Sequence, residues 1–259
     1  MANDPVEKVI PRLAVPTIIS MLVSSIYNMA DTFFVSQIGT SASGAVGIIF
    51  SAMSIIQALS FMVGMGSGNI IARSIGAGKR EQAEKIASIA FFTGMLMGLF
   101  IAVFGTMNLT PIVYFLGATP TIAPYAEDYA FYILLAAPFM ICSFIMNNLL
   151  RFQGKAFFAM FGITAGGLIN MGLDPIFIFT LGMGTAGAAL ATGISQFISF
   201  CILVCMCNFR HDCITIRIRN FRPRLAIYKE IVYCGLPSLG RQGIASAATI
   251  IMNIMAHPY

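Results

Sequence analysis

Apolar residues run through this chain in long blocks, broken at short stretches rich in charge, glycine or proline. The blocks are too long for the strands and helices of a soluble core. Each spans about 20 residues or more, the length that carries an α-helix across the hydrocarbon layer. They fall at Leu13–Ile38, Gly44–Ala72, Ser88–Leu109, Tyr125–Leu150, Phe157–Leu181, Thr185–Cys207 and Ile231–Ala256. The expected fold is all-α, a polytopic transmembrane helix bundle of six helices plus a seventh. Composition agrees: 58% of residues are hydrophobic and only 10% charged, against about 25% charged in soluble domains.

The net charge of +5 would suit nucleic acid, but the positions of the charges exclude that reading. Lys8 and Arg12 precede the first block, and Arg73, Lys79, Arg80 and Lys85 lie between the second and third. Arg151 and Lys155 lie between the fourth and fifth. Arg210, Arg217, Arg219, Arg222, Arg224 and Lys229 lie between the sixth and seventh. Of the 15 basic residues only Arg241 falls inside a block, as a residue snorkelling from the seventh. The segments near 39–43, 110–124 and 182–184 contain none. Positive loops stay in the cytoplasm, so the expected topology is N-terminus in, in the cell membrane, with membrane lipids as partners. The first block is too long for a signal peptide and follows Asp4, Glu7, Lys8 and Arg12, so it should remain as a span. None of the six cysteines falls outside, and free thiols are expected.

The chain divides into an N-terminal lobe over 1–209, a basic cytoplasmic linker over 210–229 and the first helix of an incomplete second lobe over 230–259. The motivation is a weak repeat: "LAVPTIISMLVSSIYN" and "CGLPSLGRQGIASAAT" share an apolar-Pro-Ser/Thr start after a charged lead-in. Many transporters are built from two such halves. A truncated chain is expected on this pattern.

An ionisable residue inside a span costs several kcal/mol by insertion measurements, roughly 3, and is a functional candidate by default. Asp31 lies 19 residues after Arg12, and Asp174 lies 19 residues after Lys155. Both spans run outward, so at 1.5 Å per residue the two acids sit at about the same depth. Asn170 lies one helical turn before Asp174, and Asn28 three residues before Asp31, each expected on its acid's face. Thr192 on the returning span reaches that level too. Pro175 removes a backbone donor and exposes a carbonyl. Asp31, Asn170, Asp174 and Thr192 are all oxygen-bearing, which suits Na⁺, while a proton needs only a carboxylate. No organic cofactor is called for. Asn28, Asn147, Asn148 and the Ser/Thr positions could equally be hydrogen-bonding ties between helices.

Other motifs point to packing. Gly94–Gly98 and Gly162–Gly166 are GxxxG pairs in apolar helices. Gly64, Gly66 and Gly68 lack the spacing and the strand of a dinucleotide loop, and Gly78-Lys79 lacks the rest of a P-loop. Cys205, Cys207, His211 and Cys213 have no regular metal-ligand spacing. No arrangement of nucleophile and base indicates an enzyme.

The runs "PTIISMLVSSIYNMADTFFVSQIG", "GSGNIIARSIGAGKREQAEK", "RFQGK", "LINMGLDPIFIF", "GAALATGISQ" and "GLPS", in that order, resemble those of the multidrug and toxic compound extrusion (MATE) transporters. The resemblance implies twelve helices in two six-helix lobes and export of cationic or amphipathic drugs in exchange for Na⁺ or H⁺. It implies a cation site at Asp31, Asn170, Asp174 and Thr192, with Tyr129 and Asn147 lining the lobe and Pro16 bending the first span. Half of such a transporter is absent here, so either the chain is a fragment or two copies pair as a homodimer. Two rivals are a lipid-precursor flippase, disfavoured by acids where a basic cavity is wanted, and an inactive membrane scaffold.

Overall fold

The computed structural model describes residues 6–209 and 213–256. The elements are α1 (Val6–Ser36), α2 (Thr40–Gly76), α3 (Arg80–Met107), a short α4 (Leu109–Phe115), α5 (Ala123–Phe152) and α6 (Ala156–Pro175). A π-helical turn (Ile176–Thr180) extends α6; α7 (Gly184–Phe209), a 3₁₀ turn (Ile218–Asn220) and α8 (Leu225–Ala256) follow. No strand occurs among the described residues.

Among the described residues six helices are long and apolar enough to cross a membrane: α1, α2, α3, α5, α6 with its π turn, and α7. The seventh expected span is a helix, α8, but is not among the six. Arg241 and Gln242 sit in its middle and dilute its apolar length. α4 occupies a segment between two spans that the sequence pattern left without structure.

The turns after α2 and α5 explain two of the sequence motifs. After α2, Gly78 takes φ +72°, and the Lys79 N–H reaches back to the Ser74 carbonyl at 2.8 Å. After α5, Gly154 takes φ +75°, and the Lys155 N–H reaches the Leu150 carbonyl at 2.8 Å. Each is a helix-stopping motif in which glycine supplies the left-handed residue and the following N–H caps a free carbonyl. The Gly-Lys dipeptides are therefore turn chemistry, with the lysine left at the membrane surface.

Helix α5 is the hub. It packs against α2, α3, α6 and α7, and 72% of its apolar stretch is buried, against 6% for α1. Small residues bring the backbones together, since lipid gives helices no hydrophobic reason to associate. A Cβ added at Gly98 would run into the Pro138 backbone of α5, and one at Gly94 into the Ile145 side chain. Gly162 and Gly166 face Leu203, Ser195 and Ser199 of α7 in the same way. Gly64 and Gly68 meet Asn148 and Phe152 of α5, while Gly66 meets the Ile231 carbonyl of α8. Every glycine pair read as packing from spacing alone lies at a helix crossing.

The linker before α8 is pinned across the ends of α3 and α5. The Ile214 N–H donates to Gln153 Oε1 at 3.0 Å, the Arg217 N–H to Ser88 Oγ at 3.2 Å, and Arg80 to the Cys213 carbonyl at 2.9 Å. Cys213 and Ile214 are buried, whereas Arg217, Arg219, Arg222 and Arg224 are exposed. The apolar half of the alternating pattern thus faces the bundle until Ile218, which is 77% exposed. α8 then crosses α2, held by an Arg73–Glu230 ion pair at 2.7 Å and a Gln242–Gln57 bond at 3.0 Å.

Candidate cation site

Four helices bring polar side chains together in an otherwise apolar bundle. α6 carries Asn170 and Asp174 one turn apart. The Asn170 Nδ2 donates to Asp174 Oδ1 at 3.2 Å and to Thr192 Oγ1 of α7 at 3.2 Å. Tyr129 of α5 is buried and its hydroxyl lies close to Thr192. Asp174 has no exposure, Tyr129 1%, Asn170 2% and Thr192 6%. Asp31 of α1 is half-buried and within electrostatic reach of Asp174 and Tyr129.

Three oxygens in this cluster lack a partner. Asp31 Oδ1, Asn170 Oδ1 and Asp174 Oδ2 are buried and accept no hydrogen bond among the described residues. Buried acceptors are nearly always satisfied, because each orphan costs about 1–3 kcal/mol. Three such oxygens on two helices, two of them carboxylate oxygens, form a site with acceptors to spare. An all-oxygen set of this kind fits Na⁺, and a single proton on either carboxylate would convert an acceptor into a donor.

The ladder of α6 is altered next to its acid. Pro175 has no N–H to give to the carbonyl four residues back, and the helix continues as the π turn. Such widened turns recur beside functional groups because they re-aim neighbouring side chains. Pro16 behaves differently: α1 runs unbroken from Val6 to Ser36 through it. The Thr17 hydroxyl donates to the Leu13 carbonyl and the Ser20 hydroxyl to the Pro16 carbonyl, both at 2.8 Å. Hydroxyl bonds of this kind compete with the backbone ladder and go with a pliable helix.

Two residues expected to line a cavity stand apart from the cluster. The Asn147 Nδ2 donates to the Ala159 carbonyl at 2.8 Å, tying α5 to α6 at a distance from the acids. Asn28 is exposed and lines an open groove with Thr32, Phe33 and Phe50. The expectation of a shared face with Asp31 fails because α1 meets α6 along an i, i+4 stripe. Val23 and Tyr27 pack on Gly167, and Tyr27 is one turn before Asp31, so Asn28 is rotated off the contact. Tyr27 is the residue that spacing should have picked.

A cavity of about 40 Å³ adjoins the cluster, bordered by Asn170, Thr192, Tyr27 and the hydroxyls of Ser24, Ser195 and Ser199. The Ser195 hydroxyl donates to the Thr192 carbonyl at 2.8 Å and the Ser199 hydroxyl to the Gly162 carbonyl at 2.9 Å. Serine spacing on α7 was the signal for these, and it reads as helix packing until α6 is placed beside it. Of the cysteines, Cys207 and Cys213 are buried in one apolar cluster and Cys205 is exposed. His211 lies outside the described residues, among which no three His, Cys, Asp or Glu side chains converge.

The MatE family model matches residues 16–176. The chain belongs to the MatE family. The matched segment contains Asp31, Tyr129, Asn170 and Asp174. The multidrug export protein MepA of Staphylococcus haemolyticus is 26% identical over 253 residues, covering 97% of this chain and 56% of that protein. A MOP superfamily transporter from Pyrococcus furiosus superposes with TM-score 0.84 at 34% identity, over 91% of this chain and 52% of that one. An inward-facing multidrug resistance MATE family transporter superposes with TM-score 0.86 at 33% identity, over 96% and 57%. The chain therefore spans about half the length of the MatE relatives it matches, and it shares their multi-pass helical architecture.

Proposed function

We propose that this chain is the N-terminal lobe of a secondary active multidrug antiporter, exporting cationic or amphipathic drugs across the cell membrane in exchange for Na⁺ or H⁺. The observation that carries the reading is the cluster of partnerless acid and amide oxygens at Asp31, Asn170 and Asp174. Thr192 and Tyr129 complete it.

Coupling follows from which state of the lobe the ion prefers. α1 packs mainly against α6, so its position depends on what lies between Asp31 and Asp174. A cation bridging them draws α1 onto α6, whereas two bare carboxylates repel. A cationic drug competes for the same negative charge, and the difference in affinity between the two states supplies the coupling. Pro16 is the hinge at which α1 bends. Basic loops hold the N-terminus in the cytoplasm. The complete substrate cleft requires a second six-helix lobe, either further along the chain or in a second copy.

Proteoliposomes provide the test, with the chain alone and joined to a second lobe. Ethidium or norfloxacin should move under a Na⁺ or H⁺ gradient. Asp31→Asn and Asp174→Asn should each reduce ion-driven flux to the level of empty liposomes. Normal flux in either variant would refute the reading.

A further inference from the structure

A second polar cavity lies far from the acids, where the linker meets α3 at the cytoplasmic surface. Its volume is about 340 Å³, within the range of small-ligand sites. Lys85 of α3 and Arg222 and Arg224 of the linker line its mouth. Ile86, Ile89, Ala226 and Ile227 form its apolar wall, and Gln82 and Glu230 also border it. Ile89 lies one turn beyond Lys85 on an outward-running helix, so the cavity passes from charge to hydrocarbon over about 6 Å of depth.

The linker is held in place here. Besides the Arg217–Ser88 bond, the Phe221 ring packs edge-on against Phe92 with centroids 5.4 Å apart. Deeper, the hydroxyls of Thr93 and Tyr228 are 2.9 Å apart and join α3 to α8. The cations are thus positioned by a built wall. Carboxylates nearby are already engaged: Glu230 pairs with Arg73 at 2.7 Å, and Glu81 pairs with Lys85 at 2.7 Å. Arg222 is within reach of Glu81's charge. Arg222 and Arg224 therefore carry most of the uncommitted positive charge.

We infer that this cavity binds the phosphate headgroup of an anionic phospholipid from the inner leaflet, with Arg222 and Arg224 on the phosphate and the isoleucines against the glycerol and upper acyl carbons. Position favours lipid over a soluble phosphate, because Arg222 and Arg224 are exposed on the linker that crosses the helix ends, where headgroups lie, and partly buried Ile227 stands beside them. Each arginine near a charged membrane surface attracts it with a modest free energy, and two converging arginines bind selectively. The inference rests on the helices crossing a membrane and is independent of ion coupling.

Native mass spectrometry of the purified chain with added phosphatidylglycerol or phosphatidylcholine tests it. Phosphatidylglycerol should bind at least about tenfold more tightly. The double variant R222Q/R224Q should lose that preference, with helical circular dichroism unchanged. R219Q, an exposed arginine of the same linker outside the cavity, should keep it. Equal binding of the two lipids, or equal losses in R219Q and R222Q/R224Q, would overturn the site. Displacement of the lipid by millimolar glycerol 3-phosphate would overturn its assignment to the membrane.

Discussion

Asp174 is fully buried with one oxygen on Asn170 and the other on nothing. Removing its charge should relieve the protein as well as disable it. Asp174→Asn places a second amide beside Asp31, so thermal unfolding should show a gain of about 1–3 kcal/mol alongside lost flux. Asn170→Ala should do the reverse, losing about 1–3 kcal/mol because Asp174 and Thr192 forfeit a shared donor. Asn147→Ala separates structure from transport. It deletes one interhelical bond, worth about 0.6–2 kcal/mol in a membrane, and should leave flux per folded molecule unchanged in proteoliposomes. The acids were legible in the sequence because a charge in an apolar block stands out. Asn147 and Asn28 were not, because an amide looks the same whether it ties helices, faces a groove or joins a site. Only the angle at which α1 meets α6 separates Asn28 from Tyr27.

Among the elements, α2 is the one whose two faces are most constrained by glycine. Gly66 admits the Ile231 carbonyl, and Gly235 of α8 admits the Met62 carbonyl. Gly66→Ala or Gly235→Ala should push α8 away at a cost of about 1–3 kcal/mol. The readout is slower disulfide formation in a Gln57→Cys/Gln242→Cys pair, whose parent side chains are 3.0 Å apart. Pro16→Ala returns an N–H to the α1 ladder and should stiffen the helix, lowering ion-driven flux in vesicles while raising the melting temperature. Spans and turns were readable from block length and from Gly-Lys stops. The status of α8 was not, since Arg241 and Gln242 change its hydropathy without changing its helicity.

For the molecule as a whole, orientation is the statement most exposed to measurement. In a background without the native cysteines, Lys79→Cys and Lys155→Cys should react with an impermeant maleimide only from the cytoplasmic side. Thr119→Cys should react only from the opposite side. Labelling of Lys79→Cys from outside would invert the topology. α1 also has a consequence for how this protein is made. The helix is barely buried and its main partner is α6, which the ribosome delivers more than a hundred residues later. At roughly 5–20 residues per second, Asp31 waits something like ten to thirty seconds in the bilayer before Asp174, Asn170 and Thr192 arrive. During that interval it is a lone acid in lipid, at an insertion cost of about 3 kcal/mol. A chain whose synthesis stalls before α6 therefore leaves α1 without its main helical partner and Asp31 without the polar side chains that later gather around it.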